Sequence, residues 1–96
     1  MLKYKKIKVR SRIVEMLLLK LADKNLIVLR GSRGYIMCGY LNLRVAEKSR
    51  DVAVKITGVS TIEDALGAAV HSCTRRARSL GIHKGQKIRD VLRIIA

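Results

Sequence analysis

The sequence predicts a single α+β domain, with antiparallel strands in its N-terminal half and two C-terminal helices packed on the sheet. Its length of 96 residues suits one domain. Apolar residues recur at strand spacing in the first half and at helix spacing in the second. Hydrophobic residues make up 49% of the chain but include neither Phe nor Trp, so we expect an aliphatic core.

The N-terminal segment predicts a strand with one basic face. Two kinds of side chain alternate along it: Lys6, Lys8, Arg10 and Arg12 on one parity, and Ile7, Val9, Ser11 and Ile13 on the other. A row of cations would either protect an exposed edge strand from pairing or follow the backbone of a polyanion. The sequence leaves both interpretations open.

The segment 15–21, which reads EMLLLKL, is ambiguous by itself. Propensity favours a helix, whereas the apolar run over 16–19 also suits a strand covered on both faces. The segments after it are predicted in this order: a strand over 26–29, a hairpin loop over 31–34, a strand over 35–41, a short helix or turn over 42–48, and a strand over 52–57.

The stretch 60–80 predicts a long helix. Ser60 fits the N-cap of a capping box in which the Glu63 side chain reaches back. Apolar residues then recur at helical spacing: Ile62, Ala65, Leu66, Ala69, Val70, Cys73, Ala77 and Leu80. We expect Gly81 to end this helix in the left-handed conformation, with Ile82 supplying the hydrophobic contact of a Schellman motif.

The C-terminal stretch 85–95 predicts a second helix. Its apolar residues lie at i, i+3, i+4 and i+7: Ile88, Val91, Leu92 and Ile95. Strands and helices together make one domain over 1–96. A domain of this size with an aliphatic core would gain buried surface by self-association, so we expect a homo-oligomer.

The most distinctive string runs from residue 34 to residue 41 and reads GYIMCGYL. Together with later positions it resembles the YunC-like family, bacterial and archaeal proteins that share a domain of unknown function. Those later positions are Thr57, Gly58, Val59, Glu63, Asp64, Ser72, Ala77, Leu80, Gly81, Ile82 and Gly85. The resemblance covers about residues 26–92, and the chain departs from the family pattern at Gln86, where an apolar residue is expected, and in its basic termini.

The resemblance implies an α+β domain whose N-terminal β-region, residues 1–30 here, mediates tetramer formation. It therefore favours a strand for 15–21, because an oligomeric sheet needs a strand that is apolar on both faces. It implies no activity.

The formal net charge of +14 points to a polyanionic partner, chiefly nucleic acid. Residues 1–12 carry six basic residues and no acid, and residues 75–96 carry seven basic residues and one acid, so +12 lies in the two termini. We expect them to bind the backbone of RNA or DNA with little sequence preference. The candidate residues are Lys6, Lys8, Arg10, Arg12, Arg75, Arg76, Arg78, Lys87, Arg89 and Arg93. Arg30 and Arg33 could add phosphate contacts from the loop 31–34. The competing interpretation is that the charge serves only solubility.

An alternative from another class is a small enzyme or ligand-binding protein with a site at Tyr35, Cys38 and Tyr40. No Cys–His signature lies near Cys38, and a strand cysteine is most often a small buried hydrophobe. Four potential zinc ligands have spacing that fits no zinc motif: Cys38, His71, Cys73 and His83. The acidic residues assemble no nucleophile and base. We therefore expect no catalytic residue, no metal and no cofactor.

The chain is expected to be cytoplasmic, without a membrane partner. Its first twelve residues are charged and precede no apolar signal segment, and no apolar run approaches the length of a membrane span. Scarce amide side chains and abundant arginine lean towards a thermophilic source.

Overall fold

A six-stranded sheet runs through the protein, with its strands in sequence order from β1 to β6. A computed structural model describes residues 2–38 and 42–96. The strands are β1 (Leu2–Val9), β2 (Arg12–Leu21), β3 (Lys24–Arg30), β4 (Tyr35–Cys38), β5 (Ala53–Ile56) and β6 (Ser72–Cys73). The helices are α1 (Leu43–Lys48), α2 (Ile62–Leu66), α3 (Arg75–Ser79) and α4 (Ile88–Ile95). The predicted α+β class is confirmed.

Strand β1 ends in a tight turn that the alternating pattern concealed. Arg10 and Ser11 both have positive φ, 49° and 68°, as in a type I′ turn between antiparallel strands. The register of the two strands therefore places Arg12 on the opposite face of the sheet from Lys6 and Lys8. The prediction of one strand with a single basic face is wrong, because the chain reverses in the middle of it.

Strand β2 shows that the ambiguous segment 15–21 is a strand. Met16 and Leu18 are buried on one face of it, whereas Leu17 and Leu19 are half-buried on the other. The face that holds Met16 packs against the helices α2 and α4 and is called the inner face. The opposite face of β1 to β4 is called the outer face.

Strands β4 and β5 pair in parallel, so the sheet is mixed. Parallel neighbours need a crossover connection, and α1 lies within it. The Asn42 side chain caps α1 by accepting from the backbone N–H of Arg44 at 3.0 Å. The short helix or turn predicted over 42–48 is confirmed as this helix.

Three further predictions concern the middle of the chain. The loop 31–34 joins β3 to β4 as a hairpin, as predicted. The strand predicted over 52–57 is confirmed as β5. Of the strand predicted over 35–41, residues 35–38 form β4, and residues 39–41 lie outside the described residues.

The predicted helix over 60–80 is wrong, because this stretch forms α2, β6 and α3. Gly67 ends α2, and the chain then extends so that β6 joins the sheet beside β5. Thr74 begins α3, where its Oγ1 accepts from the backbone N–H of Ala77 at 3.2 Å. Apolar residues at helical spacing fit two short helices around a strand equally well, and pairing with β5 decides between them.

The ends of these helices follow capping rules. Thr61 is the N-cap of α2 instead of Ser60, because its Oγ1 accepts from the backbone N–H of Asp64 at 3.0 Å. The Asp64 carboxylate accepts from the Ser60 N–H at 3.2 Å, so the capping interaction lies one residue later than predicted. After α3, Gly81 has φ 94° and the Ile82 N–H donates back into the helix at 3.1 Å, which confirms the predicted Schellman motif.

The second predicted helix is confirmed as α4, although it begins at Ile88. Before it, the Gly85 N–H donates to the Val70 carbonyl at 2.8 Å, and the Val70 N–H donates to the Gln86 carbonyl at 2.9 Å. These bonds, together with the bridge between Ala69 and Lys87, pair residues 85–87 with residues 69–70 and keep them out of the helix. In the described ranges, no helix is long and apolar enough to span a bilayer.

The two ends of the sheet carry different connections. The upper end holds the turn 10–11 and the loop 31–34, and the lower end holds the turn 22–23. Helix α4 ends at the upper end, because the Ile95 carbonyl accepts from the Arg33 N–H there at 2.8 Å. Strand β5 begins at the upper end and β6 runs towards it.

Candidate polyanion interface

The upper end of the sheet is lined with exposed cations. We call this set the basic rim. Its members are Lys8, Arg10, Arg12, Arg33, Arg50, Arg75, Arg76, Arg89 and Arg93, all of them exposed. They come from the β1–β2 turn, the β3–β4 loop, the entry to β5, the exit from β6, and α4. Six strands separated by about 4.8 Å span roughly 24 Å, so the rim is long enough to meet several phosphates.

The two basic termini meet in a groove at one side of this rim. The groove has a volume of about 530 Å³ and is lined by four cations and four aliphatic residues: Lys8, Arg10, Arg89, Arg93, Ile7, Val9, Leu66 and Leu92. The β1–β2 hairpin forms one wall, and α4 forms the other. Cations about 80 positions apart in the sequence therefore line the same groove.

Helix α4 is held against the upper end by its contacts with the loop 31–34. Besides the bond from the Arg33 N–H, the Ser32 Oγ donates to the Ala96 carbonyl at 3.1 Å. Gly31 permits this approach, because a Cβ there would lie 2.1 Å from the Ile95 carbonyl oxygen. Backbone contacts thus fix the Arg93 end of α4 relative to the loop that carries Arg33.

A second group of cations lies at the β5 side of the rim. Arg50, Arg75 and Arg76 surround an open hollow of about 320 Å³ together with Glu47 and Ser79. The Glu47 carboxylate accepts from the backbone N–H of Arg75 at 3.0 Å and also pairs with its side chain at 3.9 Å. This side of the rim is therefore less positive than the groove.

Most of the rim is free to meet an external anion. Within the described ranges, three ion pairs lie within 4.0 Å: Lys5 with Glu63, Arg30 with Glu15, and Arg75 with Glu47. Arg75 is the only rim residue among them. The charge of the other rim residues is therefore balanced by solvent ions, which a polyanion would displace.

Three of the ten predicted polyanion-binding residues lie away from the rim. Lys6 projects from the outer face of β1, beside Glu15. Arg78 donates to the Cys73 carbonyl at 2.9 Å. Lys87 is the N-cap of α4, at the end of the helix remote from the rim. Arg50 is the residue that the sequence did not suggest, because only the parallel crossover brings the end of α1 to the upper end.

The structure describes two of the three residues of the alternative site. Tyr35 and Cys38 point to opposite faces of β4, and Tyr40 lies outside the described residues. The Tyr35 hydroxyl donates to Asp51 at 2.8 Å; burial and this hydrogen bond raise the pKa of Tyr35 to about 12. The predicted burial of Cys38 is confirmed, with 7% of the residue exposed.

Comparison with known proteins agrees with the fold. The class defined by the structure is a small α+β domain with a mixed sheet and an N-terminal pair of antiparallel hairpins. A family model for the domain of unknown function DUF1805 matches residues 37–95, more than half of the chain, and the chain belongs to this family. The resemblance to the YunC-like family is therefore confirmed.

Two relatives illustrate the family. The uncharacterised protein YunC of Bacillus subtilis is 38% identical over 77 residues, which cover 76% of each chain. The crystal structure of a protein of unknown function from Thermoplasma acidophilum superposes with a TM-score of 0.95 at 32% identity, covering 100% of this chain and 94% of the other.

Proposed function

We propose that this protein is a small, basic homo-oligomer that binds the phosphate backbone of RNA or DNA through its basic rim. The observation that carries the proposal is the convergence of the N-terminal and C-terminal cations on one end of the sheet. Cations that served only solubility would not need to be concentrated at one end of the sheet. The proposal is for a non-enzymatic protein that acts in the cytoplasm, where nucleic acid is present.

The chemistry of the rim favours contacts that ignore sequence. Lysine and arginine bind phosphate, and the groove between them is lined by aliphatic side chains that make no hydrogen bonds to base edges. Each phosphate neutralised releases condensed counterions, which supplies affinity on any sequence. Binding should therefore be steeply dependent on salt and nearly uniform across sequences.

The self-association rests on an apolar patch on the outer face. Its members lie in neighbouring rows of β1 to β4: Leu2, Tyr4, Leu17, Leu19, Leu26, Val28 and Met37. None of the seven is fully buried, and Leu2 and Tyr4 are 63% and 51% exposed. Contiguous apolar patches of this kind mark interaction sites, and we propose a second copy of the chain as the partner, in a dimer or a tetramer.

Fluorescence anisotropy with RNA and DNA duplexes across a salt series tests the rim. The double variant R33Q/R93Q removes two rim cations, and the control K20Q/K24Q removes two exposed cations near the lower end. If both arginines contact phosphate, the log–log salt slope should fall by about 1.8, since each contact contributes about 0.9. The control should keep the parent slope.

Two results would contradict the proposal. One is dissociation constants weaker than about 100 μM at moderate salt for every oligonucleotide, the weak limit of ordinary non-specific binding. The other is an equal loss in the rim variant and in the control, because that would assign binding to total charge instead of to the rim.

A further inference from the structure

A polar row crosses the outer face between the apolar patch and the rim. The strand register aligns Lys6, Glu15, Arg30 and Tyr35 side by side on β1, β2, β3 and β4. The charges alternate along this row, positive, negative and positive, and the Tyr35 hydroxyl at its end is bonded to Asp51. We call it the polar ladder. It spans three strand spacings, about 14 Å.

The centre of the polar ladder is held in place by hydrogen bonds. The Arg30 guanidinium donates through Nε to Glu15 Oε1 at 3.0 Å, and the Tyr4 hydroxyl donates to Glu15 Oε2. The bond from Tyr4, followed by that from Arg30, lowers the pKa of Glu15. Glu15 is therefore ionised at neutral pH, and the ladder presents a fixed pattern of charges to anything that covers the outer face.

We propose that two copies pack with their outer faces in contact, related by a twofold axis parallel to the strands. The polar ladder selects this direction of the axis. This inference rests on the self-association proposed above. Rotation about such an axis reverses the order of the row, so Glu15 faces Arg30 of the second copy and Arg30 faces its Glu15. Lys6 then faces the Tyr35–Asp51 end of the other ladder. Every charged position meets its complement.

The competing axis lies in the plane between the sheets and crosses the strands. Rotation about it keeps the order of each row. If it runs along the polar ladder, Glu15 would face Glu15 and Arg30 would face Arg30 of the second copy. If it runs along the row of Leu17 and Val28, Leu17 would face Leu17, and the polar ladder would face the apolar row of Leu19 and Leu26, which offers its charges no partner. Like charges held together in an interface cost several kcal/mol. The apolar patch has no such directional preference, because van der Waals contacts between aliphatic side chains suit both orientations. The polar ladder therefore decides between the two axes.

The axis has a consequence for the basic rims. An axis parallel to the strands preserves strand direction, so both upper ends point the same way. Packed sheets lie about 10 Å apart, and the two rims would form one broad cationic surface. With the competing axis, the rims would lie at opposite ends of the particle and would bind separate stretches of nucleic acid.

Disulfide trapping distinguishes the two axes. Leu17 and Val28 are neighbours in the row next to the polar ladder. With the proposed axis, Leu17 faces Val28 of the second copy. A mixture of the single variants L17C and V28C should therefore give a cross-linked dimer under mild oxidation, and each variant alone should give much less. The parent protein is the control for its own thiols, Cys38 and Cys73, which are both buried.

Charge reversal gives an independent readout by sedimentation velocity. E15R and R30E should each dissociate, because each faces like charges across the interface and within its own chain. Mixing the two variants repairs only the contacts between copies, since each chain keeps its internal repulsion. Recovery of a mixed dimer at equal concentrations would show that the two polar ladders face each other, and the disulfide pattern then identifies the axis; two monomers that stay apart contradict the inference.

The outcomes separate this inference from the proposed function. Strong cross-linking of L17C to itself would assign the competing axis, running along the row of Leu17 and Val28, and the proposed self-association would stand. A parent protein that sediments as a monomer would remove both. An oligomer with no cross-link in either experiment would contradict the proposed axis. Cross-linking as expected, without any binding of nucleic acid, would support the axis and refute the function of the rim.

Discussion

Replacement of Gly31 by alanine should remove a large part of the folding free energy. A Cβ at this position would lie 2.1 Å from the Ile95 carbonyl oxygen and 2.6 Å from its carbon. Both atoms belong to the backbone at the end of α4, so no change of rotamer relieves the overlap. Either the loop 31–34 or the helix must move.

The magnitude follows from two contributions. Overpacking of a close contact costs about 1–3 kcal/mol. The movement also breaks the bond from the Arg33 N–H to the Ile95 carbonyl, which is 2.8 Å long, and a lost hydrogen bond costs about 0.5–1.5 kcal/mol. We expect G31A to lose about 2–4 kcal/mol. For a domain of this size, the melting temperature should fall by roughly 10–20 °C.

Urea denaturation, followed by circular dichroism at one protein concentration, measures this loss. G67A is the matched control, because a Cβ at Gly67 would have no neighbour closer than 3.7 Å. Its stability should stay within about 0.5 kcal/mol of the parent, as for ordinary surface changes. A G31A protein as stable as G67A would show that α4 does not approach the loop closely, and the rigid placement of Arg93 would have to be abandoned.

Three other predictions use single sites. L18K should unfold the chain, because a buried unpaired charge costs about 3–5 kcal/mol. L17K should keep the fold intact and abolish only the oligomer. Circular dichroism reports the fold of each variant, and sedimentation reports its oligomeric state. Thiol labelling of the native protein should be slow at both Cys38 and Cys73, and rapid labelling of Cys38 alone would revive the alternative site. The Tyr35 pKa of about 12 lies above the unfolded value near 10, so its stabilising contribution should be complete below pH 10 and lost between about pH 10 and 12; Y35F should remove this loss in alkaline melts.

The sequence predicted the parts of the fold that local chemistry controls. The α+β class and the Gly81 ending of α3 both follow from residues a few positions apart. The turn at Arg10 and Ser11 was missed because neither residue is the Gly, Asn or Asp that usually marks a type I′ turn. The alternation of side chains also continues through this turn without interruption.

The break in the stretch 60–80 shows a different limit. The apolar spacing continues past Gly67 and Thr74, the residues at which α2 ends and α3 begins. Strand β6 forms because the residues on either side of it complete hydrogen bonds along β5, from the His71 N–H to the Lys55 carbonyl at 2.9 Å and from the Thr74 N–H to the Ala53 carbonyl at 3.0 Å. Because β5 is distant from β6 in the sequence, the local periodicity of residues 60–80 does not indicate this pairing.

The candidate site was predictable in composition but not in shape. Net charge identified the kind of ligand, and the two termini identified most of the cations. Only the sheet topology shows that Arg10 and Arg93 line one groove, that Arg50 belongs to the basic rim, and that Lys87 does not. The polar ladder was also hidden, since Lys6, Glu15 and Arg30 become neighbours only when two turns fix the register.

The position of β1 allows its lysines both of the roles considered from the sequence, protection of an edge strand and contact with a polyanion. Strand β1 is an edge of the sheet, and an edge of 8 residues offers unpaired backbone groups to another chain. Lysines project from both of its faces: Lys3 and Lys5 on the inner face, Lys6 and Lys8 on the outer. A second β1 aligned on this edge would bring like charges together, so self-association is directed away from the edge and towards the apolar patch. Lys8 then serves both roles, because the strand that it protects also carries it to the wall of the groove, opposite Arg89 and Arg93.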